Sequence, residues 1–426
     1  PPSMRSFPVK SRVSSKTFAR LKRQVCAIAG AVAIAALAGC QTEGPQTART
    51  AQPKVTAPEE IAPHQLSGDL PGFLRLGNTP KDHPPVRVGL MLPFSNGSPA
   101  TRALANAMLN AAQMAISDAA NTDLLLIPAD EGSGPADAAK AARKLLAQGA
   151  EVIVGPLFAA SVTAVTPIAR DRGVPVLAFS TDRSVAGKGV YLLSFQPENE
   201  IRHIVAYASA KGRKNFAALI PQNAYGDRVA QAFGHIVTDN HGHVTAIERF
   251  APAAANVNLQ AANIAKTNPD ALLIAQGGVT LRAIASMIGS NGIDTSKVKL
   301  LGTGLWYDPA LTKEGALAGG WFAAPAPHAQ DAFDAKYRGI FGTQPPQLAT
   351  LSYDAISLVA LLAPGEPYHR FTRAALVDPN GFAGVDGIFR FKEDGTADRG
   401  LAILQVEPEG FRVIEPAPTT FQAIGG

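Results

Sequence analysis

Ser180, Thr181 and Arg183 are polar residues that directly follow a short apolar run, VLAF, and could hold a ligand. Two hydroxyl groups and a guanidinium at such a position suit a polar or anionic group. An alternative is that Arg183 pairs with the adjacent Asp182 or with a neighbouring loop and has no ligand.

A second candidate site is the segment 155–161, GPLFAAS, which follows the apolar run VIV and begins a helical pattern. The first N–H groups of a helix have no partner within it, so those of Ala159, Ala160 and Ser161 would suit a carboxylate or another anion. The alternative is an ordinary helix start that binds nothing.

Four further residues stand near the ends of later apolar runs: Tyr225, Gln276, Gly304 and Trp306. The Tyr225 ring would stack on a ligand if it faced a cleft, whereas the nearby Asn223 would serve equally well as a helix cap alone. Trp306 is consistent either with a cleft wall or with a core residue.

Signatures of enzymes are scarce. The sequence has no P-loop and no G-x-S-x-G turn, and GTGLWY lacks the third glycine of a dinucleotide fingerprint. His241 and His243 alternate as strand residues do, but no third ligand for a metal lies near them in the sequence. We therefore expect a binding protein, not an enzyme, with no cofactor and no metal.

The elements that position these residues begin at Val86. Apolar runs such as 86–92 (VRVGLML) alternate with helical patterns such as 135–148, which has a proline in its first turn and is followed by Gly149. Strands that are apolar throughout and are separated by helices indicate a parallel sheet covered on both faces. Two successive series predict two doubly wound α/β lobes, whose strand ends gather the polar residues in one cleft.

The last part of the chain departs from this alternation. Residues 387–414 read as antiparallel strands, with turns at Glu393-Asp394-Gly395 and at Glu409-Gly410. Residues 416–426 form a short tail.

The N-terminal segment predicts secretion. Seven basic residues and no acidic residue precede Cys40, and the uncharged run 25–38 is too short for an ordinary membrane span. A basic segment followed by such a run is typical of a signal peptide. Beyond residue 39 the chain has 32 basic and 34 acidic side chains, so nothing in its charge favours nucleic acid.

Leu37-Ala38-Gly39-Cys40 resembles the lipobox of bacterial lipoproteins. The resemblance implies that residues 1–39 are removed and that Cys40 carries a lipid anchor; Gln41 after it implies the outer membrane of a Gram-negative bacterium. An ordinary signal peptide with an incidental cysteine is the alternative. Residues 40–85, with eight prolines after Cys40, are predicted to be a disordered linker.

The ordered succession of segments beyond this linker resembles type I periplasmic binding proteins of the leucine/isoleucine/valine-binding kind. The resemblance implies two doubly wound parallel-sheet lobes that are joined by three crossovers and close around a ligand. The segments that carry it are VRVGLMLPFSN, the block from PADEGSG to AFSTD, FAALIPQNAYGDRVAQAF, NPDALLIAQGG and LLGTGLW. The implied lobes are about 86–195 with 325–382, and about 197–322 with 385–415.

Three positions depart from the pattern of that family. Ala159 stands where the family has a serine that binds the ligand's carboxylate, Gly304 where it has a glutamate that binds the ammonium, and Val279 where it has an aromatic residue. A buried ammonium without a carboxylate is unfavourable by several kcal/mol. We therefore predict that a free amino acid is not the ligand, although Ser180, Thr181 and Tyr225 match polar or aromatic pocket positions.

The lipobox and the block GPLFAASVTAVTPIARDRGVPVLAFSTDRSVAG also resemble penicillin-binding protein activators. That family implies an outer-membrane lipoprotein in the periplasm whose partner is a peptidoglycan synthase. The alternative is a substrate-binding protein that carries a small molecule, such as an amino acid, to an ABC permease. With the charged residues of the cleft missing, the activator is the favoured interpretation.

Overall fold

The computed structural model describes residues 72–77, 82–121, 123–251 and 256–422. The predicted signal peptide and Cys40 lie outside the described residues. None of the helices in the described part of the chain is long and apolar enough to cross a membrane.

Strands and helices alternate along most of the chain. The strands are β1 (Val86–Leu92), β2 (Leu124–Asp130), β3 (Val152–Val154), β4 (Val176–Ala178), β5 (Val190–Leu192), β6 (Asn215–Pro221), β7 (His243–Phe250), β8 (Ala271–Ile274), β9 (Lys299–Gly302), β10 (Trp321–Ala324), β11 (Phe389–Phe391), β12 (Ala397–Arg399), β13 (Ala402–Glu407) and β14 (Gly410–Glu415). The helices are α1 (Pro99–Ala119), α2 (Pro135–Ala147), α3 (Ala159–Arg170), α4 (Pro197–Ala210), α5 (Ala224–Asp239), α6 (Asn258–Ala265), α7 (Gly278–Ile288), α8 (Asp331–Phe341), α9 (Ala349–Leu362) and α10 (Arg373–Leu376).

Lobe 1 is built on a parallel sheet with the strand order β2-β1-β3-β4-β5. Successive residues of a strand point to opposite faces, and here both faces are covered. Leu90 and Leu92 pack with α1 and α9, whereas Met91 packs with α2 and α3. This arrangement explains why β1 is apolar apart from Arg87, as the sequence predicts for a strand buried on both sides.

Lobe 2 is built on a sheet with the order β14-β13-β10-β9-β8-β6-β7. Leu219 of β6 packs with α6 and α7, while Ala218 and Ile220 of the same strand pack with α4 and α5. The predicted fold of two doubly wound α/β lobes is therefore confirmed.

The antiparallel tail divides between the lobes. The hairpins β11–β12 and β13–β14 form with the predicted turns. β13 and β14 extend the sheet of lobe 2, but Phe389 and Phe391 of β11 are buried in the core of lobe 1. The third crossover therefore lies near Gly400 and not between residues 382 and 385, where the implied lobe boundary falls. The alternating pattern of a hairpin does not reveal which core its aromatic residues enter.

Arg399, at the end of β12, joins two of the crossovers. It is 2% exposed, and its guanidinium lies 4.6 Å from the ring centroid of Phe195 in the first crossover. Its nearest acidic partner is Asp354 of α9, with 4.0 Å between Nη1 and Oδ2. A buried cation on an aromatic face thus holds the first and third crossovers side by side.

Part of the predicted linker is ordered against lobe 1. Leu74 exchanges two backbone hydrogen bonds of 2.9 Å with Leu126 of β2, and Phe73 packs against the core of the same lobe. The prediction of disorder for residues 40–85 is wrong for this short segment, because its apolar side chains cover the edge of the sheet. Most of the remaining linker lies outside the described residues.

Candidate functional site

A cavity of about 310 Å³, here called the cleft cavity, lies between the lobes. Lobe 1 contributes the loop after β4 and the residues before α9; lobe 2 contributes α4, α5 and the loop after β9. Its lining residues are Thr181, Phe195, Pro197, Glu200, Tyr225, Arg228, Gly304, Leu305, Tyr307, Ala324, Pro325, Gln347 and Leu348.

Glu200, in the first turn of α4, places a carboxylate in the cleft cavity. Its Oε2 accepts a hydrogen bond of 3.0 Å from the backbone N–H of Gly304. Its Oε1 has no hydrogen-bond partner among the described residues. Burial raises the pKa of this carboxyl to about 7, with the neighbouring Glu198 also raising it and the Gly304 N–H opposing the shift.

Gly304 makes room for this carboxylate. A Cβ at this position would lie 2.8 Å from Oε1 of Glu200, closer than the two atoms can approach without displacement. Any residue with a side chain would therefore push Glu200 out of its place.

The prediction that the cleft lacks an acidic group for an amine is therefore wrong. Gly304 is indeed no glutamate, but Glu200 reaches the same loop from a helix 104 residues earlier in the chain. The sequence holds no local signal of this pairing, because an acidic residue in the first turn of a helix is common and needs no ligand to explain it.

Tyr225, in the first turn of α5 after the cap residue Asn223, faces the same cavity. Its hydroxyl is 3.0 Å from Oγ1 of the buried Thr303, and either oxygen can donate. Burial, aided by the negative charge of Glu200, raises the pKa of Tyr225 well above its usual value. The phenol therefore stays neutral at physiological pH and is available as a hydrogen-bonding group.

Arg228, one helical turn beyond Tyr225, crosses from lobe 2 to lobe 1. Its Nη1 donates to the carbonyl of Thr181 at 2.6 Å and to the hydroxyl of Thr181 at 3.0 Å. Its Nε is buried and has no hydrogen-bond partner in the described part of the chain. The cleft cavity thus contains both a carboxylate and a guanidinium.

The start of α3, predicted as an anion site, is occupied by a side chain of the protein itself. Glu131, fully buried after β2, accepts hydrogen bonds from the N–H groups of Leu157 (2.8 Å) and Phe158 (3.0 Å). Ala159, Ala160 and Ser161 do not line the cleft cavity. A fixed internal carboxylate therefore stands at this helix terminus.

Three other predicted residues, Ser180, Gln276 and Trp306, lie outside the cleft cavity. Ser180 is buried and its hydroxyl accepts from the N–H of Asp182, and Gln276 donates to the carbonyl of the next residue. Trp306 is fully buried in the core of lobe 2, where its Nε1 donates to the Ile274 carbonyl at 3.1 Å. Of the predicted residues, Thr181, Tyr225 and Gly304 line the cleft cavity.

A second cavity of about 500 Å³, here called the side cavity, lies beside the first. Arg228 lines both, and Arg183 lines the side cavity while pairing with Asp394 at 3.6 Å. The lining residues of the side cavity are Asp182, Arg183, Ser184, Glu198, Arg202, Arg228, Gln231, Ala232, His235, Ile236 and Asp239.

Solved structures with the same fold support this architecture. A protein assigned to a branched-chain amino acid ABC transporter of Rhodospirillum rubrum is similar over 78% of this chain and 100% of its own, with a TM-score of 0.69 and 21% identity. A solute-binding protein of an ABC transporter from Rhodopseudomonas palustris BisB5, in complex with 3,4-dihydroxybenzoic acid, is similar over 78% of this chain and 96% of its own, with a TM-score of 0.56 and 20% identity. At these identities the likeness shows the fold alone.

A shorter similarity concerns the penicillin-binding protein activator LpoA of Vibrio cholerae. It is 31% identical over 86 residues, which are 20% of this chain and 14% of that protein. The match thus spans a small part of the relative's length.

The model of the periplasmic binding protein family matches residues 85–411, which include both lobes and the cleft between them. The chain belongs to the periplasmic binding protein family.

Proposed function

We propose that the cleft cavity binds a small solute that carries an amine, and that the protein is the solute receptor of an ABC importer. The observation that carries this proposal is Glu200, a carboxylate with one oxygen bound to Gly304 and the other without a partner among the described residues. Because a buried carboxylate is unfavourable without compensation, its place in a cleft favours a cationic ligand group.

The other polar residues of the cavity complement the rest of such a ligand. Arg228 offers a guanidinium for a carboxylate. The neutral phenol of Tyr225 offers a hydrogen-bonding group in the same cavity. Leu305 and Tyr307 line the same cavity and are 47% and 42% exposed, so apolar surface is available as well. A pocket of this composition and size suits a small zwitterion.

The similar solved structures agree with this role. One is assigned to a branched-chain amino acid ABC transporter, and another is a solute-binding protein with an aromatic acid in its complex. We propose the same receptor role for this chain. The expectation that its ligand carries an amine comes from Glu200 and not from these structures.

Calorimetric titration of the purified protein with amino acids, amines and aromatic acids tests the proposal. We expect an amine-bearing solute to bind, and Glu200→Gln to weaken its binding about tenfold or more, since a charge-assisted hydrogen bond is lost. Glu366→Gln, which changes an exposed carboxylate of lobe 1, should bind like the wild type. Binding of aromatic acids alone, or no effect of Glu200→Gln, would contradict the proposal.

A second candidate function is activation of a peptidoglycan synthase. The 86-residue similarity to LpoA and the predicted lipid anchor at Cys40 favour it. We rank it second because Glu200 supplies an acidic group to the cleft, which favours an amine-bearing solute over a cleft that binds none. If no solute binds and the protein instead co-purifies with a penicillin-binding protein, this order is reversed.

A further inference from the structure

Arg228 joins the two lobes directly, with no ligand between them. It lies in α5 of lobe 2, and its Nη1 donates to the carbonyl oxygen of Thr181 at 2.6 Å and to the hydroxyl oxygen of Thr181 at 3.0 Å. These two bonds are here called the α5 contact. Neither residue belongs to a crossover between the lobes, so the α5 contact exists only while the lobes are together.

Two other polar contacts between the lobes lie beside a crossover. Asn199 of α4 donates to the carbonyl of Ala397 at 2.6 Å, and Arg202 of the same helix pairs with Asp398 at 3.3 Å. Both acceptors belong to β12, which ends directly before the third crossover. Contacts beside a hinge change little when two bodies rotate about it, whereas contacts further from the hinge break. The α5 contact is therefore sensitive to separation of the lobes, and the contacts of α4 with β12 are not.

The lobe 1 side of the α5 contact is a turn that the protein itself holds in place. The hydroxyl of Ser180 accepts from the N–H of Asp182 at 3.1 Å, and the carboxylate of Asp182 accepts from the N–H of Ser184 at 2.9 Å. Hydrogen bonds from Ser184, aided by the positive charge of Arg228, hold the pKa of Asp182 below its usual value. The turn thus presents two oxygen acceptors and a negative charge to the guanidinium, and it needs no ordering when the contact forms.

The lobe 2 side is equally well held. Arg228 is followed in α5 by Val229 and Phe233, which are fully buried in the core of lobe 2. The guanidinium is only partly exposed, so water and salt screen its charge less than they screen a surface charge. Hydrogen bonds from a charged donor are also stronger than those between neutral groups. The α5 contact therefore contributes substantially to the free energy that holds the lobes together.

We infer that the α5 contact is a latch that holds the two lobes together in the absence of a ligand. A ligand shifts an equilibrium between open and closed forms only by its different affinity for the two forms. A contact within the protein shifts the same equilibrium without a ligand. The resting protein is then mostly closed. This inference goes beyond the proposed function and does not depend on which solute binds.

The distance between two spin labels, one on each lobe, tests the inference in the ligand-free protein. Thr163 of α3 in lobe 1 and Val279 of α7 in lobe 2 are both exposed and suit labelling as Thr163→Cys and Val279→Cys. The two native cysteines, Cys26 and Cys40, are replaced by serine so that only these sites carry a label. We expect pulsed electron paramagnetic resonance to give mainly one short distance in this labelled parent protein.

Arg228→Met removes the guanidinium and keeps an unbranched side chain. We expect this variant to show a second, longer distance, with the ratio of closed to open molecules reduced about tenfold, since a charge-assisted contact is lost. Thr181→Val removes the hydroxyl and keeps the carbonyl, so it should reduce the ratio less. The matched control is Arg143→Met, at an exposed arginine of α2, which should leave the distances unchanged.

Melting curves of the variants show whether each one is folded before the distances are compared. Identical distances in a folded Arg228→Met variant and in the labelled parent would overturn the inference, and so would a long distance alone in the labelled parent. Because no ligand is present, the result is separate from the solute titrations. The latch stands if no solute binds, and the receptor function stands if the latch fails.

Discussion

Two glutamates, the fully buried Glu131 of lobe 1 and the partly buried Glu200 of lobe 2, show how one side chain serves different purposes in the two lobes. Glu131 in lobe 1 accepts two backbone N–H groups at the start of α3. Glu200 in lobe 2 accepts one, from Gly304, and presents its other oxygen to the cavity. Burial raises the pKa of both carboxyls. The comparison indicates that a carboxylate whose two oxygens both have internal partners is structural, whereas one that keeps an oxygen unpaired at a cavity is a candidate binding group.

The largest effect is expected from Glu131→Ala. The N–H groups of Leu157 and Phe158 lose their acceptor. Each such loss costs about 1–3 kcal/mol, and the turn is partly exposed, so the free energy of unfolding should fall by about 2 kcal/mol. Urea denaturation measures the change. Glu131→Gln, which keeps one acceptor oxygen, should lose less. A negligible loss in Glu131→Ala would show that the carboxylate is not structural and would remove the contrast with Glu200.

A smaller effect is expected from Gly304→Ala. The new methyl group would collide with Oε1 of Glu200, so amine affinity should fall about tenfold, or about 1.4 kcal/mol. Gly315→Ala is the matched control, since a Cβ there meets nothing within 4 Å. Calorimetry with the best-binding amine measures both. Unchanged affinity in Gly304→Ala would mean that Glu200 does not bind the amine from its observed position.

The smallest effect concerns pH. The pKa of Glu200 is about 7 in the folded protein and near 4.5 in the unfolded chain. Between these pH values the folded state holds a proton that the unfolded state has lost. The contribution of this group to stability is therefore complete below about pH 4.5, and it is lost as the pH rises through 7. Glu200→Gln should therefore be more stable than the wild type at pH 8 and equally stable at pH 4. We expect a difference of about 1 kcal/mol at pH 8, less than full desolvation of the carboxylate would give, because the side chain is only partly buried.

Urea denaturation of both proteins at pH 4, 6 and 8, without ligand, measures this difference. Affinity for an amine should show the opposite trend and rise from pH 6 to pH 8, as Glu200 ionises. A stability difference that does not depend on pH would show that Glu200 is not the group that titrates.

The fold was predictable from the sequence because its determinants are local. Uninterrupted apolar runs such as 124–127 identify strands buried on both faces, and Glu409-Gly410 identifies the turn of the last hairpin. The assignment of β11 to lobe 1 was not predictable, because Phe389 and Phe391 would fill either core equally well. Likewise, the sequence does not distinguish a cleft wall from a core position for Trp306. Its full burial and its hydrogen bond to the Ile274 carbonyl show that it lies in the core.

The site was less predictable because its groups come from distant parts of the chain. Thr181, Tyr225 and Gly304 were found from their positions after strands, which are sequence features. Glu200 and Arg228 lie within helices, where acidic and basic residues are ordinary surface residues. Their significance depends on what the opposite lobe places next to them, as the bond from Arg228 to Thr181 shows.

The short bridge between Leu74 and Leu126 has a consequence for the behaviour of the protein in solution. β2 is the outermost strand of its sheet, and an uncovered outer strand offers a row of N–H and C=O groups to another copy of the chain. Leu74 occupies part of that row, and we expect it to limit self-association. A shortened form that begins at Val86 would lack the pairing of Leu74 with the edge strand. We expect it to aggregate more readily than a form that begins before Phe73.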